Sequence, residues 1–305
     1  MELRNINTFL KVAATQNFSK AAEQLGYSQS AVTIQIRQLE KELGISLFER
    51  IGKRVYLTER GAEFTSYANE IMRVTSRASL FAKDKKEVSG TIRIGGVESV
   101  CTALLPELLL SFHKQYPKVK TVIKSGTTEK LMEMAKSNAI DFVFTLDRKI
   151  CSAEWVKAVQ KKERISFVTL TEEGTYEKEQ MTIQELVEKP FLLTEQGAAY
   201  RYELERLLAD RDLEIFPILE IGNTETIIHL LKKGMGYSFL PEFTVREELR
   251  KKRLSEIQTD IPTVEMYSQL LYCRNKWVTQ EMERFIELVK QYEGQETKIL
   301  SFRKM

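Results

Sequence analysis

The chain has 305 residues, 43% hydrophobic and 29% charged, which is the balance of a soluble globular protein with room for about two domains. Fourteen glycines and six prolines are too few for a collagen-like or long disordered chain, and no apolar run approaches the roughly 20 residues of a membrane span. The start, Met1-Glu2-Leu3-Arg4-Asn5, has no apolar export signal, and Cys101, Cys151 and Cys273 stand far apart without a CxxC pair, so a reducing cytoplasm is the expected setting. Two histidines, His113 and His229, cannot supply a His-rich metal site, and no metal or cofactor is expected. Residues 1–90 carry 14 Lys and Arg against 10 Asp and Glu, and the remainder 32 against 33. The positive excess therefore lies in the N-terminal part, where a polyanion would be met.

Leu3, Ile6, Phe9, Leu10 and Ala13 recur three and four apart, which predicts an amphipathic first helix. Ser19 offers an N-cap for a short helix ending at Leu25, and Gly26 closes it. Ser28 caps a third helix that runs to about Leu43, with Val32, Ile36, Leu39 and Leu43 on one face. Two helices joined by Gly26-Tyr27-Ser28 form a helix-turn-helix. On the opposite side fall Ser30, Thr33, Ile34, Arg37 and Lys41. Gln29 joins them at the helix start, where unpaired N–H groups favour a phosphate. Short donors and acceptors beside one long cation suit the reading of base edges; the alternative is a solvated helix face. Residues 47–58 read as a hairpin wing with Lys53 and Arg54 at its tip, placed for a minor groove or phosphates, or else a plain basic loop. The candidate DNA-contacting residues are Ser28, Gln29, Ser30, Thr33, Ile34, Arg37, Lys53 and Arg54.

The run Phe18-Ser19-Lys20-Ala21-Ala22-Glu23-Gln24-Leu25-Gly26-Tyr27-Ser28-Gln29-Ser30-Ala31-Val32-Thr33 closely resembles the winged helix of LysR-type transcriptional regulators. So do its continuation Gln35 to Gly44, the segment Leu47-Phe48-Glu49-Arg50, and Leu57-Thr58-Glu59-Arg60-Gly61, a match spanning about residues 3–65. Ser30 stands where many members have Pro, and Ile34 where many have a base-reading Arg. Ile34 then meets a thymine methyl or no base at all.

After a cap at Thr58, a long helix is expected from about Glu59 to Lys86, with Phe64, Ala68, Ile71, Thr75, Ala78 and Ala82 spaced four, three, four, three and four apart. That spacing is a coiled-coil seam, read as a dimerisation face through Phe64, Ala68, Ile71, Thr75 and Ala78; the alternative is a helix packed on its own domain. The dimerising seam is what the family resemblance implies.

From Gly90 strands alternate with helices: a strand at 91–95, one helix from Ser99 through Phe112, strands at 120–124 and 140–144, and a helix between them from Thr128. Ser125 to Thr145 can be laid on Ile221 to Pro241 with Gly126/Gly222, Thr128/Thr224, Glu129/Glu225 and Lys136/Lys232 coincident, which reads as two similar lobes. Strands at 165–168 and 266–271 put the lobe crossings near Lys162-Glu163 and Thr263-Val264. A hinged binding protein with a cleft between its lobes follows.

Leu104-Leu105-Pro106, Phe112 to Pro117 and Gly234 to Pro241 resemble the same family's effector-binding domain, so the resemblance covers nearly the whole chain. The implied fold is α/β: a winged helix-turn-helix (1–60), a linker helix for dimerisation (61–88), and a two-lobed domain like the periplasmic binding proteins (89–305). Its first lobe comprises 91–162 with 265–305, and its second 163–264. Ser99, Thr128 and Thr224 each begin a helix and offer a hydroxyl beside free N–H groups, a socket for an anion or a plain N-cap. Val100 follows Ser99. Gln196 heads a small-residue turn, and Arg201 beyond it meets a ligand carboxylate or serves as a surface cation. Glu98, beside Ser99, would reject anions or bind an ammonium group, and Cys101 reads as a buried inert thiol rather than a sensor.

The resulting expectation is a cytoplasmic DNA-binding regulator, dimeric or tetrameric, acting on a promoter dyad under a small organic acid or amino-acid-like effector. It is not expected to be an enzyme, because no Ser-His-Asp set, metal spacing or phosphate loop is present. A constitutive DNA binder without an effector, and more remotely an enzyme using the cleft, are the rivals.

Overall fold

The computed structural model describes residues 1–51, 54–80, 88–171 and 179–301. Lys53, Ala82 and the helix end expected at Lys86 lie outside them, as do the side chains of Arg54 and Ala78.

The N-terminal part comprises α1 (Leu3–Thr15), α2 (Phe18–Leu25), α3 (Gln29–Leu43), a two-stranded antiparallel wing of β1 (Phe48–Ile51) and β2 (Arg54–Leu57), and α4 (Glu59–Leu80). The cap of α2 is Asn17 rather than Ser19: the extended Asn17 backbone lets its carboxamide oxygen accept the Lys20 N–H at 3.0 Å, so the helix starts earlier than expected. Gly26, at φ +69°, ends α2, and the Ser28 hydroxyl accepts the Ala31 N–H at 3.2 Å to start α3. Ile6, Phe9, Ala21, Val32, Ile36, Leu39 and Leu47 close one core, in which the Phe9 ring lies 5.3 Å from Phe48 and 5.1 Å from Phe64.

That core also corrects the seam reading of α4. Phe64 and Ala68 are buried against the chain's own winged helix, together with Met72, so their apolar spacing is already used within the chain. What α4 turns to solvent is Tyr67 and Val74, 56% and 55% exposed, with Ile71 half-buried beside them and Thr75 bonded to the Ile71 carbonyl. Sequence spacing finds the helix but cannot tell which of two adjacent apolar stripes faces inward.

The remainder is built around one large sheet. The chain runs β3 (Ser89–Gly96), α5 (Glu98–Ala103), α6 (Leu105–Gln115), β4 (Lys118–Ser125), α7 (Thr128–Lys136), β5 (Phe142–Asp147), β6 (Trp155–Leu170), β7 (Glu179–Gln180) and α8 (Ile183–Val187). It continues with β8 (Phe191–Leu193), α9 (Ala199–Ala209), β9 (Pro217–Glu220), α10 (Thr224–Leu231), β10 (Tyr237–Pro241), α11 (Glu242–Arg250), β11 (Leu254–Gln258), β12 (Val264–Cys273) and α12 (Gln280–Ser301). The single helix expected from Ser99 to Phe112 is two, because the chain bends at Leu104 and restarts with Pro106 in the first turn of α6.

The strand order β4-β3-β5-β12-β6-β10-β8-β9 contains the same unit twice. In each lobe the first strand lies between the second and third, all parallel: β3 between β4 and β5, and β8 between β9 and β10. Gly126 and Gly222 fall in equivalent strand-to-helix turns, and Thr128 and Thr224 open equivalent helices. Between the units β6 and β12 run antiparallel, paired from Ile165↔Val264 to Trp155↔Cys273, so a 16-residue β6 passes through both lobes. The N-terminal part contacts this assembly directly. Asn69 Nδ2 donates to the Asn275 carbonyl at 2.6 Å, and Trp277 packs against the N-terminal core.

A Cβ on Gly61 would stand 2.0 Å from the Leu47 carbonyl oxygen, a backbone atom that cannot give way without moving the wing. Gly61→Ala is expected to lower stability by about 1–3 kcal/mol, measured by urea unfolding.

Candidate functional site

Two surfaces carry the chemistry singled out by the sequence. The first is the outward face of α3. Val32, Ile36 and Leu39 hold the helix to the core, and Thr8 donates to Gln35 Oε1 at 2.6 Å to fix it against α1. Gln29, Ser30, Ile34, Arg37 and Lys41 are exposed, Ile34 by 63%. Arg37 takes no part in the ion pairs among the described residues. Thr33 is half-buried and spends its hydroxyl on the Gln29 carbonyl at 2.9 Å, while the Ser28 and Ser30 hydroxyls share a 2.9 Å bond. The face therefore offers two cations outside the ion pairs of the described residues, Arg37 and Lys41, one large apolar side chain, and amide or hydroxyl groups at the helix start.

The second is a cleft of about 300 Å³ between the strand ends of the two lobes. From the first lobe it is lined by Val97, Glu98, Ser99, the turn Ser125-Gly126-Thr127, Thr128, Lys130 and Leu146. From the second come Thr194, Glu195, Gly197 to Tyr200, and Gly222. Ser99 and Thr128 thus line the cavity. Thr128 shares a 2.5 Å hydroxyl bond with buried Thr145.

The other expected effector residues are placed differently. Val100 is fully buried in the apolar core, and Gln196 is exposed in the turn after β8 without lining the cavity. Arg201 is buried and held away from the cleft by Glu205 at 2.7 Å, Glu220 at 2.9 Å and the Thr194 carbonyl. Thr224 is buried, and its helix start is already filled by a carboxylate of the opposite lobe. Its N–H donates to Glu98 Oε1 at 3.0 Å and its hydroxyl to Glu98 Oε2 at 2.9 Å. A second contact bridges the lobes where the Arg148 guanidinium meets Glu203 on α9, with Nη2 2.6 Å from Oε2. Sequence reasoning passed over Glu195, Lys130 and Tyr200. Strand pairing sets Gly95 beside Lys124 and Leu193 beside Glu220, so the counterpart of Glu98 is Gln196, and Glu195, one residue earlier, is found only from the cavity lining.

Burial and the nearby negative charge of Glu98 push the Cys101 thiol up to about 11, so it remains protonated at neutral pH. Burial pushes the Asp147 carboxyl up, partly opposed by hydrogen bonds from the Arg148 backbone and the Thr128 hydroxyl. Burial also raises the Glu98 carboxyl above the usual carboxylate range; the Thr224 amide and hydroxyl oppose this, and the charges of Glu195 and Glu225 add to it. A carboxyl raised on folding keeps its proton to higher pH in the folded chain than in the unfolded one. Its stabilising contribution is therefore complete in acid and is lost as pH climbs from about 4.3, the unfolded value, through the folded one. Glu98→Gln removes that loss while keeping an acceptor for the Thr224 amide. The melting temperature of the variant relative to the parent is expected to rise between about pH 4 and about pH 7, read by thermal unfolding; a constant or falling difference contradicts the charge strain at Glu98.

Among the described residues no helix is long and apolar enough to cross a membrane, and no group of three His, Cys, Asp or Glu is placed to hold a metal. Residues 3–62 match the bacterial regulatory helix-turn-helix proteins of the lysR family, and residues 85–293 match the LysR substrate binding domain. The chain is 35% identical over 295 residues to the uncharacterized HTH-type transcriptional regulator YwqM of Bacillus subtilis (strain 168), covering 95% of this chain and 99% of that one. It is 30% identical to the HTH-type transcriptional regulator CzcR of Bacillus cereus, covering 96% and 98%. Among solved structures, a full-length OxyR variant from Pseudomonas aeruginosa shares the fold at 19% identity with a TM-score of 0.60, over 95% of each chain. Full-length BenM does so at 25% identity with a TM-score of 0.52, over 96% of this chain and 98% of that one. With its exposed α3 face, its two-lobed cleft and these matches over both parts, the chain belongs to the LysR family of DNA-binding transcriptional regulators, and it is a regulator rather than an enzyme.

Proposed function

We propose that the chain binds a promoter dyad as a dimer or higher oligomer, placing α3 of each protomer in a major groove, and that a small molecule in the cleft sets how the protomers sit on the DNA. The observation that carries the DNA half is the outward face of α3, with Arg37 uncommitted and Ile34 presented beside Gln29 and Ser30. Arg37 is the residue for a base edge or phosphate, and Ile34 suits a thymine methyl. Lys53 and Arg54, which the sequence alone places at the tip of the wing, are assigned to the flanking minor groove or backbone. The division into a winged helix (1–60), a linker helix (61–88) and an effector domain (89–305) with lobes 91–162 plus 265–305 and 163–264 belongs to the same proposal.

The effector half rests on the cleft, where Ser99 and Thr128 present hydroxyls to a cavity large enough for a small metabolite. For the dimer we assign the exposed Tyr67 and Val74 of α4, with half-buried Ile71 beside them, in place of the buried Phe64 and Ala68; Thr75 and Ala78 continue along that helix. Exposed apolar groups on both edge strands of the sheet support a second contact between protomers: Ile123 on β4, and Ile218 on β9 with Phe216 just before it, 76% exposed.

Arg37→Ala is expected to weaken binding to the chain's own upstream region by about 1–3 kcal/mol, measured by fluorescence anisotropy at fixed salt. Parent protein that shows no salt-sensitive preference for that region over random DNA contradicts the promoter reading. Tyr67→Asp combined with Val74→Asp is expected to shift sedimentation toward the monomer. An unchanged oligomer would remove α4 from the interface.

A further inference from the structure

The cleft carries an electrostatic imbalance that its own residues do not resolve. Glu98 follows β3 and Glu195 follows β8, one from each lobe, and both line the same cavity. Glu98 is drawn toward the second lobe by Thr224. Glu195 lies against the turn before α10, where a Cβ on Gly222 would stand 2.7 Å from its carboxyl group. The two carboxylates repel one another: burial is the largest influence on Glu98, hydrogen bonds from Thr224 oppose it, and the charges of Glu195 and Glu225 add to it. Lys130, the cavity's one lining cation among the described residues, is exposed in the first turn of α7 and takes no part in the ion pairs among those residues. Burying a carboxylate is costly, and a cation between half-buried Glu98 and exposed Glu195 relieves the desolvation of the first and the repulsion between the two.

A second observation points into the same space. Thr194, 5% exposed, lines the cleft one residue before Glu195, and its buried hydroxyl has no hydrogen-bond partner. The Tyr200 hydroxyl beside it is close enough to interact but falls outside hydrogen-bonding geometry. An unsatisfied buried hydroxyl next to an uncompensated carboxylate is completed by a ligand that brings N–H donors.

We propose that the effector bears a protonated amine, seated between Glu98 and Glu195 with a hydrogen bond to the Thr194 hydroxyl. The proposal rests on the cleft being the effector site and narrows the ligand to amines and amino-acid-like zwitterions, whose carboxylate is left to Ser99, Thr128 and Lys130. The seat at the start of α10 is closed to that carboxylate, because Glu98 occupies it. A simple dicarboxylate would add negative charge where two carboxylates already stand.

The test is thermal unfolding of the full chain with the common L-amino acids and their decarboxylated amines, against amine-free 2-hydroxy acids and dicarboxylates, each at about 10 mM and matched ionic strength. An amine-bearing probe is expected to raise the melting temperature. Glu98→Gln and Glu195→Gln, each still unfolding cooperatively, are expected to weaken that probe's binding at least about tenfold, with Thr194→Val losing part of it. Stabilisation by an amine-free acid that is lost in Ser99→Ala but kept in both Gln variants overturns the amine and leaves the cleft as the effector site. A probe that stabilises the parent, both Gln variants and Ser99→Ala alike overturns both readings. A flat response across the panel overturns the amine proposal, and the cleft is then judged by whether Ser99→Ala alters regulation of the upstream promoter in cells.

Discussion

The arrangement of the effector domain depends on one carboxylate that belongs to one lobe and completes a helix of the other. The first N–H groups of any helix lack intrahelical partners and carry partial positive charge. At α10 the Thr224 amide and hydroxyl are satisfied by Glu98 across the cleft, while Asn223 accepts the Thr226 amide from within its own lobe. With the Arg148–Glu203 pair at another point of contact, the lobes are held together by groups of the chain itself. Parting them would leave that helix start unpaired but return the Glu98 carboxylate to water, so the contact balances a gained cap against a desolvation cost. A ligand that changes the relative position of the lobes must bind one arrangement better than the other, and a group that interacts with Glu98 acts directly on the contact that distinguishes them.

The same economy of surfaces appears in α4, which meets three different environments on three faces. Phe64, Ala68 and Met72 complete the core of the winged helix, Asn69 reaches the Asn275 carbonyl, and Tyr67 and Val74 are left to solvent. Packing of Phe9 between Phe48 and Phe64 ties α1, the wing and α4 into one body, so α3 is held by its Val32–Ile36–Leu39 stripe while Ile34 and Arg37 stay exposed on its other face. A recognition helix needs that separation. Side chains that read bases must be presented by a backbone that does not move, and must not be spent on their own fold.

Local signals were legible in the sequence where they are governed by near neighbours. The start of α3 at Ser28, the turn at Gly26, the alternation of strands and helices, and the doubled unit around Gly126 and Gly222 all follow from caps, turns and periodicity. The departures arise where a distant group decides. Asn17 outcompetes Ser19 as a cap because of its own extended backbone, and Leu104 bends a helix whose apolar period looked continuous. Thr224 and Arg201 looked like ligand groups because a free helix start and a lone cation are attractive in isolation. Glu98 stands 126 residues from Thr224 and Glu220 19 from Arg201, beyond any local pattern; only Glu205, four residues after Arg201, could have been read from helical spacing. Burial of Phe64 and Ala68 is the same lesson on α4: a heptad spacing records that a stripe is apolar, not which body covers it.

The path between the two functional surfaces follows from where β12 ends. That strand pairs with β6 across both lobes, and directly after Cys273 the chain supplies Asn275 to Asn69 and Trp277 to the N-terminal core. Nearby, Lys276 pairs with Asp141 at 2.7 Å, and Lys11 on α1 is half-buried close enough to feel Lys276, Arg93 and Asp141. The winged helix therefore rests on the lobe that contains β3 and β5, and moves with it. In a rotation of the lobes, the second lobe, with α9, β9 and α10, is displaced relative to that combined body. The exposed Phe216 and Ile218 lie on this second lobe, so its displacement alters any contact they make with another protomer while leaving α3 fixed to its own lobe. Within a single chain, a signal arriving at the cleft has little to change at the DNA-binding face. On the proposed function it acts between chains, through the spacing and angle at which successive α3 helices are presented.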